Sequence, residues 1–174
     1  MKKPEHTVDI FLQPGEVYFG GRDTRIRTLL GSCVAITMWH PGMLAGGMCH
    51  YMLPIAPGGR RNNTLDGRYA DEAMALMLQE IRNAYTSAEE YQVKLFGGGH
   101  MFSAHQNTSV DHVGSKNVEM ARLLMKRHGF KIIAEHLGGV GHRNLMFDLW
   151  NGHVWMRHQP PTSAEYNNGI LCLQ

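Results

Sequence analysis

The stretch LLGSCVAITMWHPGMLAGGMCHYMLP, from Leu29 to Pro54, constrains the fold more than any other part of the chain. Two apolar runs flank His40-Pro41-Gly42, and strands bounded by Pro and Gly read as a hairpin. The hairpin carries two of the chain's three cysteines, Cys33 and Cys49, with His50 directly after the second. With Pro41-Gly42 as a two-residue turn, His40 pairs with Met43, Trp39 with Leu44, and Cys33 falls opposite His50. Opposed residues on one face have Cβ atoms about 4.5–5.5 Å apart, close enough for a thiol to meet an imidazole. A slip of one residue opposes Cys33 to Cys49 and sends His50 to the other face. Pro-Gly favours a type II turn, whereas tight hairpins use the mirror-image types, so the register is the weak link.

A cysteine in an apolar strand is ordinarily a small buried hydrophobe, which is how Cys49 reads. Cys33 differs in position. Gly31-Ser32 sets it at a strand mouth, where the backbone N–H groups around Gly31 and Ser32 can point at a substrate oxygen. A neighbouring imidazole supplies the proton acceptor and is expected to hold the thiol below its ordinary range. Cys172 carries no signal. His100, His105 and His112 are five and seven residues apart, with neither C-x-x-C nor H-E-x-x-H, so no metal site is expected. The GGGH of Gly97–His100 lacks the continuation of a phosphate loop and reads as a tight turn where backbones approach closely.

The rest of the sequence reads as one α+β domain. At 174 residues the chain has room for a single core. Strands are predicted near 8–12, 17–19, 26–30, 34–39, 45–53, 93–96, 131–135, 145–150 and 153–157, the last pair joined by Asn151-Gly152 as a two-residue hairpin. Residues 54–67, rich in Gly, Pro and Asn, read as an exposed loop carrying Arg60 and Arg61. Ala70, Ala73, Met74, Met77, Leu78 and Ile81 recur at helical spacing and predict a helix over 70–85. A second helix is predicted over 116–128, with Ser115 as N-cap, Lys126, Arg127 and His128 in its last turn and Gly129 after it. Residues 1–158 form the domain, and 159–174 read as a tail without a clear element. The fold class is an α+β single-domain sandwich of mixed and antiparallel strands with two main helices.

Charge and composition exclude several classes. A net charge of +2 with scattered basic residues lacks the dense basic face of a nucleic-acid binder. No window approaches the roughly 18 apolar residues of a membrane span. The opening MKKPEHTVDIF lacks the apolar core of a signal peptide, so a cytoplasmic location is expected. The 12 methionines read as adaptable core filler.

The same motifs carry a resemblance. TLLGSCVAI with GGMCHYMLP resembles the signature of the CheD family of chemoreceptor glutamine deamidases. RYADEAM, FGGGHMF, VGSKNVE and EHLGGVGHRNLMF resemble further family motifs and occur in the same order, so that the likeness runs from about Gln13 to Met156. It implies a cysteine-hydrolase fold, shared in outline with the deamidating cytotoxic necrotizing factors. It implies that Cys33 is the nucleophile and His50 its histidine, and that no cofactor is needed. A family threonine precedes the Gly-Ser-Cys. Thr28 lies five residues before Cys33, while Arg27 holds the sixth position that some members use. The implied substrates are glutamine side chains on the cytoplasmic domains of chemoreceptors, with a CheC-type phosphatase as a possible partner. Arg60 and Arg61 are expected to dock an acidic receptor surface. Two other functions share the pattern: a transglutaminase, which passes the thioester to an amine, and a non-catalytic adaptor for receptors or a phosphatase.

Overall fold

The computed structural model describes residues 2–58, 64–100, 111–159 and 170–173. Among these, ten strands form two five-stranded sheets, accompanied by two α-helices and a short 3-10 turn. The first sheet is ordered β1 (Val8–Phe11), β3 (Thr24–Leu30), β8 (His142–Asp148), β9 (His153–Gln159), β10 (Ile170–Leu173). The second is ordered β2 (Val17–Gly20), β5 (Ala45–Tyr51), β4 (Val34–His40), β6 (Gln92–Gly97), β7 (Ile132–Leu137). Only β1–β3 and β6–β7 pair in parallel. The predicted α+β sandwich is the observed architecture.

Alternation along β4 organises the layers. Ala35 packs with Met48, Phe96, Ile26, Leu30 and Leu145 in a core between the two sheets. Its neighbours Val34, Ile36 and Met38 point the other way, into a core shared with α1 (Ala70–Asn83) and α2 (Asp111–His128). The order of layers is therefore sheet, sheet, helices, with β4 buried on both faces. A strand in that position reads as a near-continuous apolar run, as VAITM does, with Thr37 buried and its hydroxyl donating to the Lys94 carbonyl (3.3 Å). The apolar stripe of α1 is as predicted: Ala70, Ala73, Met74, Met77 and Ile81 are buried. Met38, Met48, Met74, Met77, Met125 and Met156 are core residues, in agreement with their reading as filler.

Both hairpins differ from the two-residue turns expected. In β4–β5, His40 pairs with Ala45, and in β8–β9, Asp148 pairs with His153, so each loop has four residues. Each loop ends on a residue in the left-handed region, Leu44 at φ 50° and Gly152 at φ 73°. The first outcome follows from Pro41, whose ring fixes a negative φ and forbids the type I′ turn of a two-residue hairpin. In the second, the Asn151 side chain accepts a hydrogen bond from the His153 N–H (2.9 Å), a local turn that competes with the tight hairpin.

Two boundaries also move. Helix α2 begins at Asp111 instead of Lys116, so Gly114 lies inside its first turns. A Cβ on Gly114 would stand 2.7 Å from the Gly98 carbonyl, so glycine here admits the neighbouring loop. The tail contributes β10, paired with β9 and held by Lys94, whose Nζ donates to the Leu173 carbonyl (2.8 Å). ILCL is too short and unpatterned to signal a strand alone.

Candidate active site

The lengthened loop shifts the β4–β5 register by two residues from the expected one. His50 pairs with Ala35, and Cys33, just before β4, lies diagonally across from it instead of directly opposite. A shift of two preserves facing, because side chains alternate with a period of two. Cys33 accordingly packs, half-buried, against the same inter-sheet core as Ala35. Cys49 pairs with Ile36 on the helix-facing side, where complete burial pushes its thiol up to about 12. The alternative register that would oppose Cys33 to Cys49 is excluded.

His50 is 1% exposed, and its ring is fixed from the other sheet. Thr28, on the inner face of β3, places Oγ1 2.8 Å from His50 Nδ1 and 2.8 Å from the Leu12 carbonyl oxygen. A hydroxyl has one proton, and the carbonyl can only accept. Thr28 therefore donates to Leu12 and accepts from His50, so Nδ1 carries the ring proton and Nε2 a bare lone pair. That Nε2 is buried and has no hydrogen-bond partner among the described residues. Burial dominates the titration of the ring and lowers it to about 4, against smaller opposing contributions from the Leu12 carbonyl and Glu16. Near neutral pH, His50 is an uncharged imidazole with a free acceptor nitrogen, the state a general base requires.

Cys33 departs from the expectation of an acidic thiol. Burial raises it above its ordinary value, and its own backbone N–H lowers it by a lesser amount. A neutral imidazole offers no charge to stabilise a thiolate, so the resting pair is thiol and imidazole, not an ion pair.

The strand mouth is held by three consecutive carbonyls. Gly31 accepts from the Gly99 N–H (2.8 Å), Ser32 from Asn117 Nδ2 (3.0 Å), and Cys33 from the Gly98 N–H (2.8 Å). Gly97, at φ 113°, makes this possible: a Cβ there would lie 2.1 Å from the Cys33 carbonyl oxygen. The glycine run thus serves close backbone approach, as read from the sequence. Behind it stands Arg143, buried, donating from Nε to His136 Nδ1 (2.8 Å) and from Nη2 to the Gly138 carbonyl. Gly138 in turn donates to the Gly97 carbonyl (2.9 Å).

The chain matches the family model described as CheD chemotactic sensory transduction over residues 52–158. It is 54% identical to a protein of Pseudomonas savastanoi pv. phaseolicola over 95% of this chain and 93% of that one. It is 53% identical to a protein of Pseudomonas fluorescens over 92% and 90% of the two chains. Both relatives are named "Probable chemoreceptor glutamine deamidase CheD". The chain belongs to the CheD family. The CheD model match starts two residues after His50, so the likeness around Thr28, Cys33 and His50 rests on the longer alignments with CheD relatives.

Of the residues singled out from the sequence, the structure brings Thr28 and His50 into contact and sets Gly31, Ser32 and Cys33 at the adjoining strand mouth. Thr28, not Arg27, faces the histidine; Arg27 points outward and pairs with Asp9 (2.8 Å). Arg60, Arg61 and His105 lie outside the described residues. Sequence reasoning missed the Leu12 carbonyl and Tyr51, and it gave no role to Asn117, although that residue lies in the VGSKNVE motif. Asn117 did leave a signal. It falls on the helical stripe continued by Ala121 and Leu124, and a polar residue on a buried stripe invites explanation.

Proposed function

We propose that this CheD-family chain is a protein-glutamine deamidase that converts glutamine side chains of chemoreceptors to glutamate in chemotactic adaptation, with Cys33 as nucleophile and His50 as base. The reading is supported by one observation above all: the Leu12–Thr28–His50 relay leaves Nε2 bare on the face that also carries Cys33.

His50 Nε2 takes the proton of Cys33 as sulfur attacks the carboxamide carbon. The resulting oxyanion is met by backbone N–H groups at Gly31–Cys33. The imidazolium returns its proton to the leaving nitrogen, ammonia departs, and a thioester remains. His50 then draws a proton from water, which attacks the thioester; glutamate is released and the thiol restored. One amide and one water yield one carboxylate and one ammonium, without a cofactor or metal. Thr28 moves no proton off the enzyme. It holds the ring in the tautomer that keeps Nε2 available.

The product adds a negative charge to the receptor, which changes the electrostatics between its helices. A cytoplasmic location suits such a substrate, and no helix among the described residues is long and apolar enough to cross a membrane. Arg60 and Arg61 follow the His50 strand in sequence and serve as docking residues for an acidic receptor surface. Replacing both with Glu should weaken receptor turnover in a salt-dependent way. A CheC-type phosphatase is a further partner.

The test is incubation with receptor cytoplasmic domains followed by peptide mass spectrometry. Each glutamine converted adds about one mass unit, the difference between amide and acid, and Cys33→Ala abolishes the change. Incorporation of an added amine in place of water would identify a transglutaminase. Receptor binding without modification would identify an adaptor.

A further inference from the structure

The second carbonyl of the strand mouth is held differently from its neighbours. Those of Gly31 and Cys33 are bound by backbone N–H groups, but that of Ser32 is bound by a side chain, Asn117 Nδ2 (3.0 Å). The same amide nitrogen donates to the Met52 carbonyl (2.8 Å), just past the end of β5. The β4–β5 ladder stops at Val34–Tyr51, so Asn117 spans the hairpin where its own hydrogen bonds cease. It ties the segment entering Cys33 to the segment leaving His50. Asn117 is itself fixed: it is fully buried, and its backbone carbonyl accepts from the Tyr51 hydroxyl (2.6 Å).

Peptide geometry gives this grip a direction. The Ser32 carbonyl and the Cys33 N–H belong to one peptide unit, which is planar and trans, so they point to opposite sides. Asn117 holds the oxygen from α2, on the helix side of the second sheet. The Cys33 N–H is thereby aimed away from the helix, toward the inter-sheet side where the Cys33 side chain packs. Stability alone does not explain the choice of residue, because Asn117 Oδ1 is buried without a hydrogen-bond partner among the described residues. What the position uses is an amide nitrogen with two protons, one for each carbonyl.

We propose that Asn117 is a positioning residue for acyl transfer, which aims the Cys33 N–H as an oxyanion donor by gripping the Ser32 carbonyl. The proposal rests on the reading of Cys33 as nucleophile, but not on the identity of the substrate.

The test compares two reactions of the full chain that need no receptor. Acylation of Cys33 by p-nitrophenyl acetate joins sulfur to the acetyl carbon, expels p-nitrophenolate and passes through an oxyanion. Alkylation by iodoacetamide displaces iodide from carbon and forms no oxyanion. Both release the thiol proton, so both report the thiol's availability, and their ratio isolates the oxyanion donor. N117D keeps the shape and removes both donor protons; N117S keeps a single donor. Removing an oxyanion donor outright costs on the order of 100-fold in rate, so misaiming one should lower the acylation-to-alkylation ratio by about tenfold or more in N117D. N117S should fall between N117D and the parent. An unchanged ratio in a folded variant, or equal loss of both reactions, would overturn the proposal. Failure of both variants to fold would also overturn it, by making Asn117 a residue of the fold alone. If the parent shows this ratio dependence but does not deamidate receptors, the functional reading fails and the positioning role stands.

Discussion

Thr28 Oγ1 meets His50 Nδ1 at 2.8 Å across the boundary between two sheets, and the same hydroxyl closes on the Leu12 carbonyl. Neither sheet contains the site alone. The base belongs to β5, its orienting hydroxyl to β3, and the acceptor that decides the direction of both hydrogen bonds to the residue after β1.

Thr28→Val should therefore do more harm than its size suggests. It keeps the volume, removes the relay and leaves the Nδ1 proton buried without an acceptor. That should cost about 1–3 kcal/mol of stability and lower turnover by about tenfold or more. Thr28→Ser keeps the hydroxyl and should retain most activity. Thermal unfolding and ammonia release measured on both variants check the pair.

The two central cysteines should separate cleanly. Cys33→Ala or Cys33→Ser should remove turnover without unfolding the domain. Cys49→Ala should leave turnover largely intact and cost about 1–2 kcal/mol through a small cavity in the helix-facing core. Iodoacetamide near neutral pH should label Cys33 well before Cys49, whose thiol is fully buried and titrates near 12. Peptide mass spectrometry reads the order directly.

The acidity of His50 gives a signed pH prediction. Burial lowers the ring from 6.5 to about 4 in the folded protein. Below pH 6.5 the unfolded chain gains the proton more readily than the folded one. The stability contributed by a neutral His50 is thus complete above pH 6.5 and is lost as the pH falls through about 4. The loss approaches roughly 3 kcal/mol, and His50→Gln should remove that part of the acid sensitivity. The acid limb of turnover should lie near pH 4 instead of near 6.5, since the base remains unprotonated between them. Activity and unfolding free energy measured from about pH 3 to pH 8 would test both statements.

Because base and nucleophile act as a unit, His50→Ala should lose most turnover, and adding Cys33→Ala should cost little more. His50→Ala should also slow iodoacetamide labelling of Cys33 at neutral pH, where a neutral imidazole is the local proton acceptor. Identical labelling rates with and without His50 would show that the two side chains do not communicate.

The sequence made the layers legible because facing depends only on parity. Placing Cys33 and His50 on one face survived an error of two residues in their register. The register itself was out of reach, since it depends on whether Leu44 enters the left-handed region, a local strain that composition does not announce. Similarly, Asn151-Gly152 marked the right corner and the wrong loop length, because the Asn151 side chain competes for the turn. Thr28 could be nominated by motif, but its partner could not. The contact joins residues 22 apart on different sheets. Leu12 was invisible for a more basic reason: it acts through its backbone carbonyl, which every residue possesses.

The relay from Leu12 through Thr28 to His50 also fixes when the protein becomes chemically competent. Each sheet can pair its own strands, but the ring proton has nowhere to settle until the sheets have closed on each other. A chain caught before that moment carries its cysteine and histidine without an oriented base. The thiol is armed only once the two sheets have docked, so turnover recovered during refolding requires that docking and not merely the formation of either sheet.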